Sequence, residues 1–292
     1  MKRIFYLLFL LLSFQISAQK TQRLNLKKYK IAVLSDSLKE SSGLTNFDGR
    51  LFSFNDSGNT SEIFEIKPGS PDIEKTFQTG LKNVDWEALT NDGDSFYIGE
   101  FGNNLGTRKD LKVYKIPFRS DSLIVDSVKI IPFHYPEQKD FTPKNINNNF
   151  DAEAMFFLNG KIHLFTKEWV TNTVSHYLID PNMKDEQPAQ KLETFDTGFV
   201  VTDASFFDNR LYVVGYTKKA KVYLAVFEQD ESGNLFFSRS LKKYFLGSAY
   251  NIGQIEGIAA TEKGVYISGE RFNIKIKKVP QSLYFVSYND LE

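Results

Sequence analysis

The sequence predicts an all-β fold, a five-bladed β-propeller with four antiparallel strands in each blade. Three observations predict this fold. A short motif recurs five times, about four strand-like segments follow each copy, and the chain is rich in Phe (27) and Tyr (14), which favour strands. A six-bladed alternative would require dividing the long second interval, in which no further acidic motif occurs.

The motif copies set the blade boundaries. Their second residues are spaced by 45, 66, 50 and 53 positions, intervals that suit one four-stranded unit each. The copies are "SSGL" (41–44), "WEAL" (86–89), "AEAM" (152–155), "TDAS" (202–205) and "IEGI" (255–258), and their second residues are Ser42, Glu87, Glu153, Asp203 and Glu256.

Turn-forming Asn, Asp and Gly separate most of the predicted strands, as in "NFDG" and "NDGD". In the fourth interval the outer strand is predicted at "LFFSRSL" (235–241). The last interval supplies only three strands, and one spare strand, "YKIAVLSD" (29–36), precedes the first motif. We therefore expect the N-terminal strand to complete the last blade, which would also cover an exposed sheet edge.

Residues 1–18 resemble an export signal rather than part of the fold. Lys2 and Arg3 precede the apolar run "IFYLLFLLLSF", and "ISA" follows, so cleavage is predicted after Ala18. The run is too short to span a bilayer, and no membrane span is expected elsewhere. The remaining residues, 19–292, are predicted to form a single, monomeric domain in the periplasm or outside the cell.

Composition excludes several classes of site and partner. The chain has no Cys, so disulfides, thiolate metal sites and a lipid-attachment cysteine are excluded. Basic and acidic residues number 36 each, so there is no overall basic excess to indicate a nucleic-acid partner.

A second set of residues lies 13 or 14 positions after the motif residues, about the length of one hairpin. Both sets should therefore lie at the same end of the central channel, in two layers around its mouth. The second layer is Asp56, Glu100, Lys167, Tyr216 and Glu270.

Crowded carboxylates at a channel mouth favour a bound cation. Like charges about 8 Å apart repel by roughly 2 kcal/mol per pair at an effective dielectric of 20. A hard cation, Ca²⁺ before Mg²⁺, would offset this repulsion, although acids in turns can instead accept backbone N–H bonds. The candidate ligands are Glu87, Glu100, Glu153, Asp203, Glu256 and Glu270.

Other residues are expected to line or cover the mouth. Lining residues would be Ser42, Asp56, Trp86, Trp169 and Tyr216, with the two tryptophans forming either an aromatic wall or packing between blades. The run 135–150, rich in Pro, Asn and Lys, is either a loop over the mouth or a disordered insertion.

The motifs "SGL", "WEAL", "AEAM" and "IEGI" resemble those of the SdiA-regulated and phytase-like propeller families, which repeat a D-x-E-G/A-L/I element. The resemblance extends over most of residues 19–292. It implies an exported propeller, calcium binding, and phosphoester or ester hydrolysis. Glu87, Glu153 and Glu256 carry the motif acid, whereas Ser42 and Asp203 depart from it.

Three functions remain open at this point. The first is a metal-dependent phosphoester or ester hydrolase in which Glu87 and Glu153 act in acid–base chemistry and Lys167 orients an anion. The second is a propeller glycosidase that uses the same two glutamates. The third is a non-catalytic protein that binds a small molecule, a glycan or a partner at the mouth.

Overall fold

The computed structural model describes residues 21–238, 241–274 and 277–291, so the predicted signal peptide lies outside the described residues. Five antiparallel sheets are arranged in a ring. The inner strand of each sheet lies beside the inner strands of the two neighbouring sheets, and the fifth returns to the first. The predicted five-bladed β-propeller is therefore confirmed.

Each blade has four main strands, ordered from the channel outward. Blade 1 is Ser41–Phe47, Arg50–Asn55, Glu62–Ile66 and Ile73–Gln78; blade 2 is Trp86–Asn91, Ser95–Glu100, Lys112–Arg119 and Lys129–His134. Blade 3 is Ala152–Leu158, Lys161–Thr166, Val174–Ile179 and Gln190–Phe195; blade 4 is Val200–Phe207, Arg210–Tyr216, Lys221–Glu228 and Leu241–Ser248. Blade 5 is Gln254–Thr261, Gly264–Glu270, Ser282–Val286 and Lys30–Val33.

Short elements complete the blades and their connections. Gln22–Arg23 and Gln187–Pro188 add parallel to the outer strands of blades 4 and 2, and Ser122–Leu123 pairs with the third strand of blade 2. Phe272–Ile274 and Lys277–Val279 form a separate hairpin. The short helices are Leu26–Tyr29, Asp36–Leu38, Val125–Ser127, Ala249–Ile252 and Tyr288–Leu291.

The ring closes as the sequence predicts. Lys30–Val33 pairs antiparallel with Ser282–Val286 and forms the outer strand of blade 5. Both ends of the chain therefore hold one sheet, and the edge of the third strand is paired rather than open to solvent.

The predicted outer strand of blade 4 is wrong. The strand is Leu241–Ser248, and before it Phe236 lies in an irregular segment and Phe237 in a turn. Their N–H groups donate to Glu193 of blade 3 at 2.9 and 3.1 Å. The aromatic pair that resembles a strand in the sequence is thus packed against the neighbouring blade.

Aromatic side chains fill the spaces between adjacent blades. Between blades 1 and 2, the rings of Phe52 and Phe96 lie 5.0 Å apart in an edge-to-face arrangement, a favoured geometry. Trp86 is fully buried and contacts Phe54 edge-to-face at 5.4 Å. Trp86 therefore packs between blades. Within the described residues, no helix is long and apolar enough to cross a membrane.

Candidate functional site

A β-bulge interrupts each of the five inner strands near the channel mouth. An extra residue in a bulge changes the direction in which its side chain points, so the five bulge residues form one ring. The register shifts identify them as Gly43, Glu87, Glu153, Thr202 and Glu256.

The bulges correct two members of the predicted ring. Ser42 precedes the bulge at Gly43, and Asp203 follows the bulge at Thr202, so neither occupies the ring position. The Ser42 hydroxyl instead donates to the backbone carbonyl of Glu87 at 2.9 Å. The inner ring therefore contains three glutamates, Gly43 and Thr202, rather than four acids and a serine.

Asp203 connects three blades through backbone hydrogen bonds. Its Oδ2 accepts from the N–H groups of Leu44 in blade 1 (3.2 Å) and Ile258 in blade 5 (2.7 Å), and its Oδ1 accepts from Ala204 (2.8 Å). The side chain is fully buried, and this burial raises its pKa, an effect the three N–H donors oppose. The two carboxylate oxygens of Asp203 therefore link the inner strands of blades 1, 4 and 5.

Two of the five residues of the second predicted layer lie one position away from the place that the other three share. Counted from the bulge, Lys167, Tyr216 and Glu270 occupy equivalent positions at the ends of the second strands of blades 3, 4 and 5, with Lys167 directly after its strand. Glu100 comes one residue earlier and Asp56 one residue later. Because side chains alternate between the two faces of a strand, the offset turns Glu100 to the other face of its blade.

Glu100 is engaged in a buried structural arrangement. Its two oxygens accept from the N–H groups of Val84 (2.9 Å) and Asp85 (3.1 Å), and Arg108 forms an ion pair with it at 2.8 Å. The predicted ligand Glu100 is therefore occupied in holding the segment that precedes blade 2.

Two acids that are not among the predicted ligands also lie at the mouth. Asp85 and Asp151 lie two residues before the bulge glutamates of blades 2 and 3, and the repeated D-x-E in "DWE" and "DAE" could have identified them. We define the acidic mouth as Asp56, Asp85, Glu87, Asp151, Glu153, Glu256 and Glu270.

Three of these acids lie close enough together that they could hold a cation. One carboxylate oxygen each from Asp56, Asp85 and Glu87 lies within 4.8 Å of the other two. The backbone of Gly102 lies against them, and a Cβ there would be 2.2 Å from Glu87 Oε1 and 2.5 Å from Asp85 Oδ2. An all-oxygen donor set of this kind suits a hard cation such as Ca²⁺.

Two buried oxygens of the acidic mouth have no partner among the described residues. They are Oε2 of Glu256, which is 6% exposed, and Oδ2 of Asp151, which is fully buried. A buried acceptor without a donor costs roughly 1–3 kcal/mol. Both atoms are therefore suited to a cationic or hydrogen-donating guest.

Burial raises the pKa of the carboxyls at the mouth. It raises the pKa of Asp85 to about 6, with the charge of Asp56 adding to the effect. It raises the pKa of Glu270 to about 9, with Glu256 as the largest additional cause. Burial also holds the pKa of Glu87 well above its usual value. Protons therefore occupy part of the group when no cation neutralises it.

Lys167 is the ammonium group among these acids. It is buried and pairs with Glu153 Oε1 at 2.9 Å. Burial alone would lower its pKa, but the surrounding carboxylates, Glu153 first, hold that pKa well above its usual value. Its Nζ lies 5.6 and 5.7 Å from the ring centres of Trp169 and Tyr216. The Tyr216 hydroxyl in turn donates to Glu256 Oε1 at 3.1 Å.

The run 135–150 is fastened beside blade 2. Lys144 N–H donates to the carbonyl of Leu105 at 2.9 Å, and Ile146 N–H to that of Asn104 at 3.0 Å. At its end, Asp151 Oδ1 accepts from Asn103 N–H at 2.6 Å. The loop is therefore bonded to the segment that follows the second strand of blade 2, and it positions Asp151.

No family model matches the chain, and no curated protein matches it. Among solved structures, a protein from Thermus thermophilus described as an oxidoreductase (glucose dehydrogenase) has 11% identity and a TM-score of 0.47, over 87% of this chain and 99% of its own. A protein from Bacteroides fragilis described as a 6-phosphogluconolactonase has 13% identity and a TM-score of 0.42, over 84% and 87%.

Hydrazine synthase from Kuenenia stuttgartiensis has 11% identity and a TM-score of 0.42 over 84% of this chain, which spans 59% of the hydrazine synthase chain. With identities of 13% or less and TM-scores below 0.5, these likenesses carry no argument about what the chain binds or does.

Proposed function

We propose that the protein is an exported propeller that binds a divalent cation, Ca²⁺ in the first instance, at the acidic mouth and hydrolyses a phosphoester or ester there. The observation that carries the proposal is the convergence of Asp56, Asp85 and Glu87 within 4.8 Å. The buried, unpartnered oxygen of Glu256 supports it independently. The motif resemblance to SdiA-regulated and phytase-like propellers agrees with it.

Asp56, Asp85 and Glu87 would hold the cation. Ca²⁺ accepts six to eight oxygen ligands in flexible geometry, whereas Mg²⁺ prefers few protein ligands, so a group of several carboxylates favours Ca²⁺. When bound, the cation would polarise a phosphoryl or carbonyl oxygen and lower the pKa of water.

Residues on blades 3 to 5 would position the substrate and move protons. Lys167 provides the positive charge that can orient an anionic group, and its ion pair with Glu153 fixes it in place. Burial raises the pKa of Asp151 to about 7, which suits a group that gives or takes a proton near neutral pH. Gln254 and Tyr216 both donate to Glu256 Oε1 and hold its carboxyl.

Thermal unfolding of EDTA-treated protein with added Ca²⁺ tests the cation site. A ligand at about 100 times its Kd stabilises by about 2.7 kcal/mol, which for a domain of this size raises Tm by roughly 5–10 °C. An unchanged Tm over millimolar Ca²⁺ would overturn the proposal.

Turnover assays separate the proposal from the other two functions. Hydrolysis of aryl phosphates or aryl esters that requires Ca²⁺ and is lost in EDTA supports the proposal. Hydrolysis of aryl glycosides alone identifies a glycosidase, and a rise in Tm without turnover on any panel identifies a non-catalytic binding protein.

A further inference from the structure

A cavity of about 600 Å³ lies at the end of the channel opposite the acidic mouth. It is surrounded by the ends of the inner strands and by the turns that lead into the second strands. Asp203 bonds to the backbone of Leu44, and Leu44 and Ala204 form part of the cavity wall. The Asp203 cross-link therefore lies between this cavity, which we call the distal cavity, and the acidic mouth.

Blades 3 and 4 give the distal cavity an aromatic wall. Phe156, Phe157, Phe206 and Phe207 line this side. The rings of Phe156 and Phe206 are stacked with centres 5.6 Å apart and planes 18° apart. Phe157 is half-buried and stacks on Tyr97 at 5.3 Å. Phe156 is buried among these rings, so the half-buried Phe157, Phe206 and Phe207 supply the aromatic surface that a ligand can reach.

Blades 1 and 2 give it a neutral polar wall. Thr45, Asn46, Thr90 and Asn91 line this side. Asn91 Nδ2 donates to Thr45 Oγ1 at 2.9 Å and to the Asn46 carbonyl at 2.8 Å, so the proton of the Thr45 hydroxyl is left to donate. On blade 4, Ser205 Oγ accepts from Ala260 N–H at 3.0 Å and likewise keeps its own proton.

The charged residues of the distal cavity lie at its rim. Asp48, Glu262 and Lys263 belong to the turns and are exposed to solvent. The wall itself is uncharged, in contrast to the acidic mouth. Its volume falls within the range of about 300–1,000 Å³ that is common for small-molecule sites.

We propose that the distal cavity binds a neutral monosaccharide unit. A sugar ring presents an apolar face of C–H groups, which complements the aromatic wall, and a rim of hydroxyls, which complements neutral donors and acceptors such as Thr45 and Thr90. A charged ligand would find no counter-charge on the wall. This site is separate from the cation site and does not depend on it.

Saturation-transfer NMR and calorimetry with glucose, mannose and N-acetylglucosamine test the proposal on the full folded protein, in EDTA. At least one sugar is expected to bind with millimolar affinity. Thr90→Val, which removes a hydroxyl at nearly constant volume, should weaken binding about five- to tenfold. Phe206→Leu, which removes the ring face, should weaken it by a similar factor, and both variants are compared only if their melting transitions remain cooperative.

Thr76→Val on the exposed outer strand of blade 1 is the matched control and should leave sugar affinity unchanged. Three results would overturn the proposal. The first is that none of the sugars binds at tens of millimolar. The second is that the Thr90 and Phe206 variants bind as tightly as the wild type. The third is that indole binds at this site while the sugars do not. If Phe206→Leu does not fold, Thr90→Val alone decides.

Discussion

Replacing Asp203 with Ala should destabilise the propeller strongly. The carboxyl accepts from Leu44 N–H, Ile258 N–H and Ala204 N–H at 3.2, 2.7 and 2.8 Å. The substitution removes both carboxylate oxygens and leaves all three N–H donors without this acceptor at a fully buried position. Two of the bonds cross between blades, so their loss affects the ring and not only one strand.

The magnitude follows from the three bonds. A buried N–H without a partner costs roughly 1–3 kcal/mol, and water entering the cavity left by the side chain would satisfy part of this requirement. We therefore expect Asp203→Ala to lower the free energy of unfolding by about 3–6 kcal/mol, a large share of the 5–15 kcal/mol typical of a domain. Asp203→Asn keeps one carbonyl oxygen and should lose only about 1–3 kcal/mol.

Equilibrium unfolding in urea measures both losses as a change in midpoint at constant m. Asp48→Asn is the matched control, because Asp48 is exposed in a turn with φ of 51°, a conformation that Asn tolerates. The control should lie within about 0.5 kcal/mol of the wild type. A midpoint for Asp203→Ala equal to that of the control would refute the role assigned to Asp203.

Three further substitutions test other parts of the structure. Gly102→Ala brings a Cβ to 2.2 Å from Glu87 Oε1 and should displace this flexible carboxylate. Ca²⁺ binding measured by calorimetry should weaken at least tenfold, with little change in Tm. An unchanged Ca²⁺ affinity would contradict the placement of the cation beside Glu87. Arg108→Leu leaves Glu100 buried without its ion pair and should cost about 3–5 kcal/mol in urea unfolding; a loss below 1 kcal/mol would count against it. Burial, with His176 adding to it, lowers the pKa of His163 to about 3, so the unfolded chain binds the proton more readily and stability falls as pH drops below 6.5. His163→Phe should remove about 4–5 kcal/mol of the stability lost between pH 6.5 and pH 3. The measurement is the difference between the stability–pH curves of the wild type and the variant, and parallel curves would show that His163 does not contribute.

The five-bladed ring could be predicted because the sequence motifs that begin the blades recur at similar intervals. Similar motifs at similar intervals, with a spare strand at one end, leave few ways to close a sheet structure without an open edge. The segment at Phe236 and Phe237 could not be predicted in the same way. Their apolar pattern equally fits a strand, whereas in the structure their N–H groups donate to Glu193 on the neighbouring blade.

The acidic mouth could be predicted only in part, because bulges shift the register by one residue. The motifs predict Glu87, Glu153 and Glu256 as ring residues, and each of them is the bulge residue of its inner strand. Asp203 aligns with these glutamates in the motif, but in the structure it follows its bulge, so its side chain is directed to backbone N–H donors. Glu100 is displaced in the same manner. A one-residue shift reverses the face of a strand, and motif spacing alone does not reveal it.

His163 and His176 stack against each other inside blade 3. Both are fully buried, and His163 Nδ1 lies 2.9 Å from His176 Nε2. His176 Nδ1 in turn lies 3.0 Å from Oε1 of Glu193, which is 17 residues further along the chain, on the outer strand of blade 3. The sequence separation explains why the pairing with this carboxylate was not apparent.

Calorimetric titration of Ca²⁺ into EDTA-treated wild type, Glu87→Gln and Asp48→Asn is the most direct test of the cation site. Each variant replaces one carboxyl group with an amide, but Glu87 belongs to the cluster within 4.8 Å and Asp48 lies in a turn at the other end of the channel. We expect one site in the wild type and in Asp48→Asn, and at least tenfold weaker binding in Glu87→Gln. No binding to the wild type, or equal affinity in all three proteins, would contradict a cation site at the acidic mouth.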